Sequence, residues 1–113
     1  MAELKVIDNT DKRTHIALSG RLDILGVQEV ELAFTSHVAA RKRPAIVDMS
    51  QVDFVASIGI GMLVRTAKTL QSQGVSLVLL TPQKTVREVL ELSKIDKVIP
   101  IAESLDEAVG YLA

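Results

Sequence analysis

The spacing of apolar residues along the chain changes repeatedly between the two-residue period of a strand and the three-to-four-residue period of a helix. Strands are predicted at about Leu4 to Ile7 and at His15 to Leu18. The asparagine, threonine and aspartate between them favour a turn, and Gly20 follows the second strand. We therefore expect the chain to open with a β-hairpin.

A helix and a buried strand are predicted next. Asp23 is a favourable N-cap for a helix that runs to about Ala40, with apolar residues spaced three and four apart. Pro44 marks the end of this helix. The short apolar run from Ala45 to Met49 is typical of a parallel strand that is covered on both faces.

The second half of the chain continues the alternation. A second helix is predicted to begin near Ser57 and to end at Gly74, because glycine favours a helix C-terminus. The remaining predicted elements are a strand at Val75 to Leu80, a helix with a capping box at Thr85 and Glu88 that runs through Leu92, an edge strand at Val98 to Ile101 that contains Pro100, and a closing helix with a capping box at Ser104 and Glu107.

This order of elements predicts an α/β fold in one domain that comprises residues 1–113. Strands that alternate with helices imply right-handed crossovers between parallel strands. The opening hairpin adds an antiparallel pair. We therefore expect a mixed, mostly parallel sheet of about five short strands with four helices.

Composition excludes several classes of function. The chain has no cysteine, which excludes disulfides, thiolate metal sites and thiol nucleophiles. A net charge of −1 provides no electrostatic footprint for nucleic acid, and no apolar stretch approaches the ~20 residues needed to cross a bilayer. Neither a catalytic set nor a metal cluster can be assembled. We expect a cytoplasmic binding protein without enzymatic activity or cofactor, which binds no nucleic acid and does not insert into membranes.

The segment from Val47 to Leu63 carries the functional information. Ser57 lies at a predicted helix start, where unpaired N–H groups and the helix dipole favour a phosphate. Gly59 and Gly61 each cost about 1 kcal/mol relative to alanine in a helix. They indicate close approach of a neighbouring element or of a partner. The residues alone leave two interpretations open: Ser57 is a regulated site, or it only caps the helix while the glycines ease packing.

This segment resembles the STAS domain, named after sulfate transporters and anti-sigma factor antagonists. Asp48 and Ser50 match the end of a strand in that family, and Phe54 matches the aromatic residue that follows. Ser57 matches the serine that a partner kinase phosphorylates in bacterial antagonists, and Gly59 to Gly61 match the Gly-Leu-Gly motif behind it. The order of the predicted elements agrees with the family along the whole chain.

Two positions depart from the family pattern. Ala56 stands where the family has aspartate, and Ile58 stands where it has serine or threonine, so the site is more apolar. The resemblance implies that the unphosphorylated protein binds an anti-sigma factor, usually a serine kinase with an ATP-binding fold, and frees a sigma factor for transcription. Phosphorylation of Ser57, supported by Asp48, Ser50 and Asp53, would end that binding, and a serine phosphatase would restore it.

Three alternatives compete with this interpretation. The chain could be a STAS subunit that docks on a lipid or solute transporter without being phosphorylated, which the apolar Ala56 and Ile58 favour. A receiver-like protein phosphorylated on Asp48 is disfavoured, because a receiver opens with a strand that leads to an acidic pair rather than with a hairpin. Nucleotide binding is disfavoured because Gly59-Ile60-Gly61 lacks the third glycine of a dinucleotide motif.

The helix that begins at Ser57 has two faces with different predictions, because successive residues are ~100° apart. An exposed methionine is an adaptable contact, and an apolar patch with a polar rim often marks a partner site. The face expected to pack on the sheet comprises Ile60, Leu63, Val64, Ala67 and Leu70. The residues expected to contact the partner, including the two glycines, are Ile58, Gly59, Gly61, Met62, Arg65 and Thr69.

Overall fold

Residues 1–112, which the computed structural model describes, form five strands and four helices. Single-turn 3-10 helices lie at Ala39–Arg41 and Ile95–Lys97. The α/β class, the opening hairpin and the element order are confirmed. The elements are β1 (Glu3–Val6), β2 (Thr14–Leu22), α1 (Ile24–His37), β3 (Ala45–Val55), α2 (Ser57–Ser72), β4 (Leu77–Leu80), α3 (Lys84–Leu92), β5 (Ile101–Ala102) and α4 (Leu105–Leu112).

All five strands form one sheet in the order β1-β2-β3-β4-β5. β1 is antiparallel to β2, and the other neighbouring pairs are parallel, so the mixed, mostly parallel sheet is confirmed. β5 lies at an edge as predicted, but it begins at Ile101 rather than at Val98. The 3-10 turn uses the earlier residues, because the N–H of Val98 donates to the carbonyl of Ile95 at 2.9 Å.

Helices cover the two faces of the sheet unequally. α1, α2 and α3 pack on one face, where their apolar residues join alternate strand residues in the main core. α4 packs on the other face and forms a smaller cluster with Ile46, Val78 and Leu80. All four residues of β4 are buried, as expected for a strand covered on both faces. Within residues 1–112, no helix is long and apolar enough to cross a membrane.

β2 and β3 are both longer than the apolar pattern predicts. β3 continues beyond Met49 to Val55. This continuation pairs with β2 as far as Leu22, across register shifts that follow Ala17 and Gly20. Such irregularities interrupt the two-residue alternation, so a pattern search ends both strands too early. The extension brings the end of β3 beside the end of β2, immediately before α2.

Two of the predicted side-chain caps are confirmed. The Oδ1 atom of Asp23 accepts a hydrogen bond at 2.9 Å from the backbone N–H three residues later, at the start of α1. The hydroxyl of Ser104 accepts the N–H of Glu107 at 3.2 Å, at the start of α4. The capping box predicted at Thr85 is wrong, because α3 begins earlier and has Gln83 at its N-cap position.

Arginine side chains close the end of the sheet where β2, β3 and β4 begin, which we call the amino edge. α1 ends at His37, earlier than the predicted Ala40, and the following 3-10 turn carries Arg41 to the hairpin turn. Arg41 donates from Nε to the hydroxyl of Thr14 at 2.8 Å and from Nη2 to backbone carbonyls of that turn. Arg43 donates to another of its carbonyls at 2.7 Å. Thr14 is fully buried beneath these contacts.

Candidate functional site

The opposite end of the sheet brings helix starts together. β2 ends at Leu22 and β3 at Val55, and these two residues are partners in the sheet. One residue then leads from β2 into α1 and one from β3 into α2, while α3 begins alongside the extended part of β3. We call this region the carboxyl edge. Functional residues of α/β sheets concentrate at the ends of parallel strands.

Ser57 is the first residue of α2, and it is exposed. The interpretation in which Ser57 only caps the helix is wrong, because Ala56 is the N-cap: it has the extended cap backbone, with φ −96° and ψ 173°, and no side-chain acceptor. The N–H of Ala56 donates to the carbonyl of Leu22 at 3.0 Å, which holds the start of α2 against β2. The hydroxyl of Ser57 is therefore accessible from solvent and is not used as a cap.

The two glycines of α2 have different surroundings. A β-carbon on Gly59 would lie 2.9 Å from the carbonyl oxygen of Leu22 and 3.0 Å from a methyl carbon of Val55. Gly59 is therefore required for α2 to approach the strand ends. It is buried, so its predicted contact with a partner is wrong. A β-carbon on Gly61 would meet only Nη1 of Arg65, at 3.1 Å, which is the end of a flexible side chain.

Met62 is buried, so the prediction that it contacts a partner from an exposed face of α2 is wrong. Only 2% of its surface is accessible. Ile60 and Val64, which were predicted to face the core, are only half-buried. The buried stripe is rotated from the predicted one by less than the ~100° step between residues. It comprises Gly59, Met62, Leu63, Thr66, Ala67 and Leu70.

The neighbouring helix α1 explains this rotation. Nη2 of Arg65 lies 3.2 Å from Oε2 of Glu31, which shows which side of α2 faces α1. Met62 precedes Arg65 by three residues and so lies near the same side. A helix that packs on a sheet and also against another helix buries a wider arc than a single stripe. The side chain of Met62 is enclosed in the main core that α1 and α2 share.

The other predicted contact residues on α2 are accessible. Ile58 is 39% exposed, and Arg65 and Thr69 are also exposed. The hydroxyl of Thr69 donates to the carbonyl of Arg65 at 3.0 Å, within the helix. Ile58 and Ser57 therefore present an exposed apolar side chain and an exposed polar side chain next to each other at the start of α2.

The residues predicted to support the site lie on β3 but differ in exposure. Oδ1 of Asp48 accepts the N–H of Ser50 at 2.8 Å, as expected for a carboxylate that bonds a backbone amide. The carbonyl of Ser50 accepts from Nε2 of Gln83 at 2.9 Å, which ties the start of α3 to β3. Asp53 is exposed and lines a shallow cavity of about 80 Å³ between β3 and α3. Of these three residues, only Asp53 presents an exposed side chain.

Arg21 belongs to the carboxyl edge and was missed by sequence reasoning. Its guanidinium carbon lies 4.2 Å from the centre of the Phe54 ring, and its Nε lies 3.4 Å from Oδ2 of Asp23. The hydrogen bond from the N–H of Gly26, reinforced by Arg21, lowers the pKa of the Asp23 carboxyl. Arg21 could have been found only if β2 had been extended to Leu22, because its position follows from the pairing with β3.

Exposed apolar residues on α1 were also missed. Ile24, Leu25 and Leu32 are 63%, 71% and 81% accessible. Ile24 lies seven residues, about two turns, before Glu31, which places it on the side of α1 that faces α2. The three-and-four spacing of the buried residues of α1 excludes Leu25 and Leu32 from the buried stripe. That spacing could have shown from the sequence that these side chains face solvent.

Hydroxyl, charged and apolar groups thus provide the chemistry of the carboxyl edge. Among residues 1–112, no group of three or more His, Asp or Glu side chains is arranged to hold a metal ion. Ser57 provides an exposed hydroxyl, and the charged groups around the strand ends include Arg21, Asp23 and Asp53. This arrangement suits modification of a hydroxyl by another protein and contact with a partner.

Comparison with known families identifies the fold and the family. The family model of the STAS domain matches residues 1–108. The chain belongs to the STAS domain family. BtrV of Bordetella bronchiseptica, assigned as an anti-sigma factor antagonist, is 26% identical over 102 residues, which cover 90% of this chain and 88% of that protein.

Solved structures of STAS proteins show the same architecture. An anti-sigma factor antagonist from Mycobacterium paratuberculosis is 25% identical and superimposes with a TM-score of 0.85, covering 99% of this chain and 94% of the other. The Bacillus cell fate determinant SpoIIAA in its phosphorylated form is 20% identical, with a TM-score of 0.70 and coverage of 96% and 98%. At this lower identity, the likeness to SpoIIAA concerns the fold.

Proposed function

We propose that this protein is an anti-sigma factor antagonist that binds an anti-sigma factor through its carboxyl edge while Ser57 is unphosphorylated. One observation carries the proposal: the exposed Ser57 hydroxyl, at the phosphoacceptor position of the family, lies beside the exposed Ile58 at the start of α2. The antagonist relatives support the class of partner. In this proposal the domain acts by binding and catalyses no reaction.

The proposed contact surface combines apolar groups from three elements. Ile24 of α1, Phe54 of β3 and Ile58 of α2 are 63%, 38% and 39% accessible. Arg21 and Asp23 add charges at the rim. Apolar groups surrounded by polar ones are typical of the centre and rim of a protein interface. Ile58 replaces Met62 as the apolar contact that α2 contributes.

Phosphorylation would change this surface through charge rather than through refolding. A phosphoserine carries about −1.5 to −2 charges at neutral pH. At Ser57 that charge would stand beside Ile58, where an apolar partner surface would have to bury it without compensation. A negative charge in the first turn of a helix is compatible with the helix dipole, so α2 would remain folded. We therefore expect a local switch.

Accessibility supports Ser57 over the hydroxyl groups of Thr66 and Ser50. Thr66 lies on the same helix but is only 6% accessible. Ser50 is half-buried, and its carbonyl is bonded to the start of α3. A kinase must admit the hydroxyl into its own active site, which requires an exposed segment. Ser57 meets this requirement in the folded protein, whereas Thr66 would require α2 to unfold.

Ala56 is expected to slow the modification. Its methyl group replaces the carboxylate that the family places next to the acceptor, so no side chain of residue 56 can orient the hydroxyl or contact a kinase cation. Ala56→Asp should therefore be phosphorylated faster than the parent protein. The initial rate of phosphate incorporation with the cognate kinase measures this, and equal rates would show that the replacement has no effect.

The main test uses partner capture and phosphate mapping. Ser57→Ala should retain the anti-sigma factor in a pull-down whether or not ATP is present, and Ser57→Asp should weaken binding. Ser72→Asp is a matched control, because Ser72 is an exposed serine at the far end of the same helix. Phosphate on Ser50 and none on Ser57 would refute the assignment. Capture of transporter subunits, with Ser57 unmodified, would favour the transporter alternative.

The proposal also defines a cellular setting. A switch that acts on an anti-sigma factor operates in the cytoplasm, where transcription takes place. Because a phosphate monoester on serine is stable, reversal requires a serine phosphatase. Incubation of the phosphorylated protein with lysate fractions, followed by mass spectrometry of the peptide that contains Ser57, would detect that activity. Phosphate that persists in every fraction would contradict a reversible switch.

A further inference from the structure

The side chain of Arg65 occupies a channel that Gly61 leaves open along α2. Its Nη1 would lie 3.1 Å from a β-carbon at Gly61, so the guanidinium group folds back over the preceding turn. Its Nη2 lies 3.2 Å from Oε2 of Glu31 on α1. A larger side chain at position 61 would compete for this space. Close packing does not explain the glycine at position 61. The absence of a side chain there leaves room for the guanidinium group of Arg65.

Ser57 lies next in the same row of side chains. Residues 57, 61 and 65 are spaced four apart and therefore succeed one another along one side of the helix. Ser57 and Arg65 are about 12 Å apart along the axis, but the guanidinium at the level of Gly61 has already covered half of that distance. An extended arginine and the phosphate of a phosphoserine can span the rest.

We propose that Arg65 receives the phosphate of phosphorylated Ser57 and exchanges Glu31 for it. This inference rests on the proposed phosphorylation of Ser57 and identifies how the domain responds to it. The kinase transfers the terminal phosphoryl group of ATP to Oγ of Ser57: the bond between the terminal phosphorus and the bridging oxygen breaks, ADP leaves, a P–O bond to Oγ forms, and the hydroxyl proton passes to a base of the kinase. The response is a change of partner for one guanidinium group.

The balance of charges favours the exchange. Arg65 and Glu31 have side chains that are 63% and 50% exposed, and ion pairs at such exposure contribute little to stability. A phosphate offers more charge and three acceptor oxygens to the planar guanidinium group. Arg21, the arginine at the carboxyl edge itself, contacts the ring of Phe54 and Asp23. Of these two arginines, Arg65 has fewer contacts to lose when it changes partner.

The exchange would transmit phosphorylation from α2 to α1. When Arg65 pairs with the phosphate, Glu31 is left as an unpaired negative charge on the side of α1 that also carries Ile24. The surface around Ile24 would become more acidic although no phosphate is attached to α1. A partner that contacts both helices would then experience two unfavourable changes from one modification.

The test measures the ionisation of the phosphate. Phosphoserine is incorporated at position 57 during translation, so that no kinase is required, and the second pKa of the phosphate is determined by phosphorus NMR. In Arg65→Gln this pKa should be higher than in the parent by about 0.5 pH unit, because a nearby cation favours the dianion. Arg65→Lys should retain part of the effect, and Glu31→Gln should lower the phosphate pKa below that of the parent.

Arg21→Gln is the matched control, since it removes the same charge from another exposed arginine, at the end of β2. The phosphate pKa should change much less in this variant than in Arg65→Gln. An unchanged pKa in Arg65→Gln, or an equal change in both variants, would overturn the inference. The proposed function is tested separately by the kinase: failure to modify Ser57, together with an Arg65-dependent phosphate pKa, would refute the function and leave the partner exchange supported.

Discussion

Arginine side chains contact different kinds of acceptor at the two ends of the sheet. At the amino edge, Arg41 and Arg43 donate to backbone carbonyls and to the buried hydroxyl of Thr14. Arg21 at the carboxyl edge and Arg65 in the middle of α2 contact an exposed ring and exposed carboxylates. The buried hydroxyl of Thr14 has no replacement donor if Arg41 is lost, whereas the exposed acceptors of Arg21 and Arg65 can bond to water.

The two kinds of arginine contact have different consequences: contacts with buried acceptors stabilise the fold, and contacts with exposed acceptors can be exchanged for others. A buried hydroxyl or carbonyl that loses its donor has a desolvation penalty, so the contacts of Arg41 are expected to be permanent. Exposed ion pairs are close to neutral in free energy, so those of Arg65 can be replaced at little cost. The residue type is the same at both ends, and burial of the acceptor determines which role it has.

The largest expected effect on stability distinguishes a buried from an exposed residue of α2. Met62→Glu should place an unpaired charge in the main core, destabilise the fold by several kcal/mol and unfold much of the protein. Ile58→Glu should leave the melting temperature nearly unchanged and abolish binding of the anti-sigma factor. Circular-dichroism melts and a binding assay on both variants measure this. A folded Met62→Glu protein would contradict the observed burial.

Loss of one arginine at the amino edge should destabilise the fold. Arg41→Ala leaves the hydroxyl of Thr14 buried without its donor, which should lower the free energy of unfolding by about 1–3 kcal/mol. Arg21→Ala at the carboxyl edge should lower it by less than about 1 kcal/mol, because its contacts are exposed. Urea unfolding of both variants compares them. Equal losses would mean that the two ends do not differ as described.

The two glycines of α2 should respond to alanine with opposite signs. Gly59→Ala brings a methyl group against the carbonyl of Leu22 and should destabilise the protein by about 1–3 kcal/mol. Gly61→Ala meets only the flexible end of Arg65 and should stabilise the helix by up to about 1 kcal/mol. Denaturant midpoints of the two variants decide the matter. Destabilisation by Gly61→Ala would show that the channel beside Arg65 tolerates no side chain.

The smallest effect is a pH dependence near the amino edge. Burial lowers the pKa of His15, although Asp48 and Asp8 oppose this and Arg13 supports it, and its Nε2 is enclosed without a hydrogen-bond partner within residues 1–112. The unfolded chain therefore binds a proton at higher pH than the folded one. The contribution of neutral His15 to the free energy of unfolding is present above its ordinary pKa of 6.5. It should decline as the pH falls below that value towards the pKa of His15 in the folded protein.

Urea midpoints at about pH 7.5 and pH 5.5 measure this decline. His15→Gln should reduce the difference between the two midpoints, because it removes the group that gains the proton. Asp23, whose pKa is lowered from 3.8, loses its contribution only at more acidic pH and does not affect this window. An identical decline in His15→Gln would assign the pH dependence to another group.

Local signals predicted the elements well where a single neighbour determines them. Asp23 caps α1 because its carboxylate and the N–H of Gly26 that donates to it are three residues apart in the chain, and the burial of Val27, Val30 and Phe34 follows from their spacing. Gly59 was singled out because glycine is unfavourable in a helix. The sequence did not show which residue approaches Gly59, since that residue is Leu22, which is distant in sequence.

The candidate site shows the same division. The position of Ser57 at the start of a helix was predicted from the residues around it, and its exposure is consistent with that prediction. Met62 was misassigned because one helix in isolation has one buried stripe, whereas α2 has a sheet beneath it and α1 beside it. Arg21 was missed because register shifts in β2 and β3 conceal the extension that brings it to Phe54.

The order of elements, the α/β class and the position of Ser57 at a helix start followed from patterns within about one turn of helix or one strand, because period, caps and turn residues act over a few positions. The roll of α2, the burial of Met62 and the pairing of Arg65 with Glu31 depended on how two helices pack. Those contacts join residues more than 30 positions apart in the chain, as Glu31 and Arg65 are. Their geometry is set by side-chain volumes and sheet twist together, which no local pattern contains.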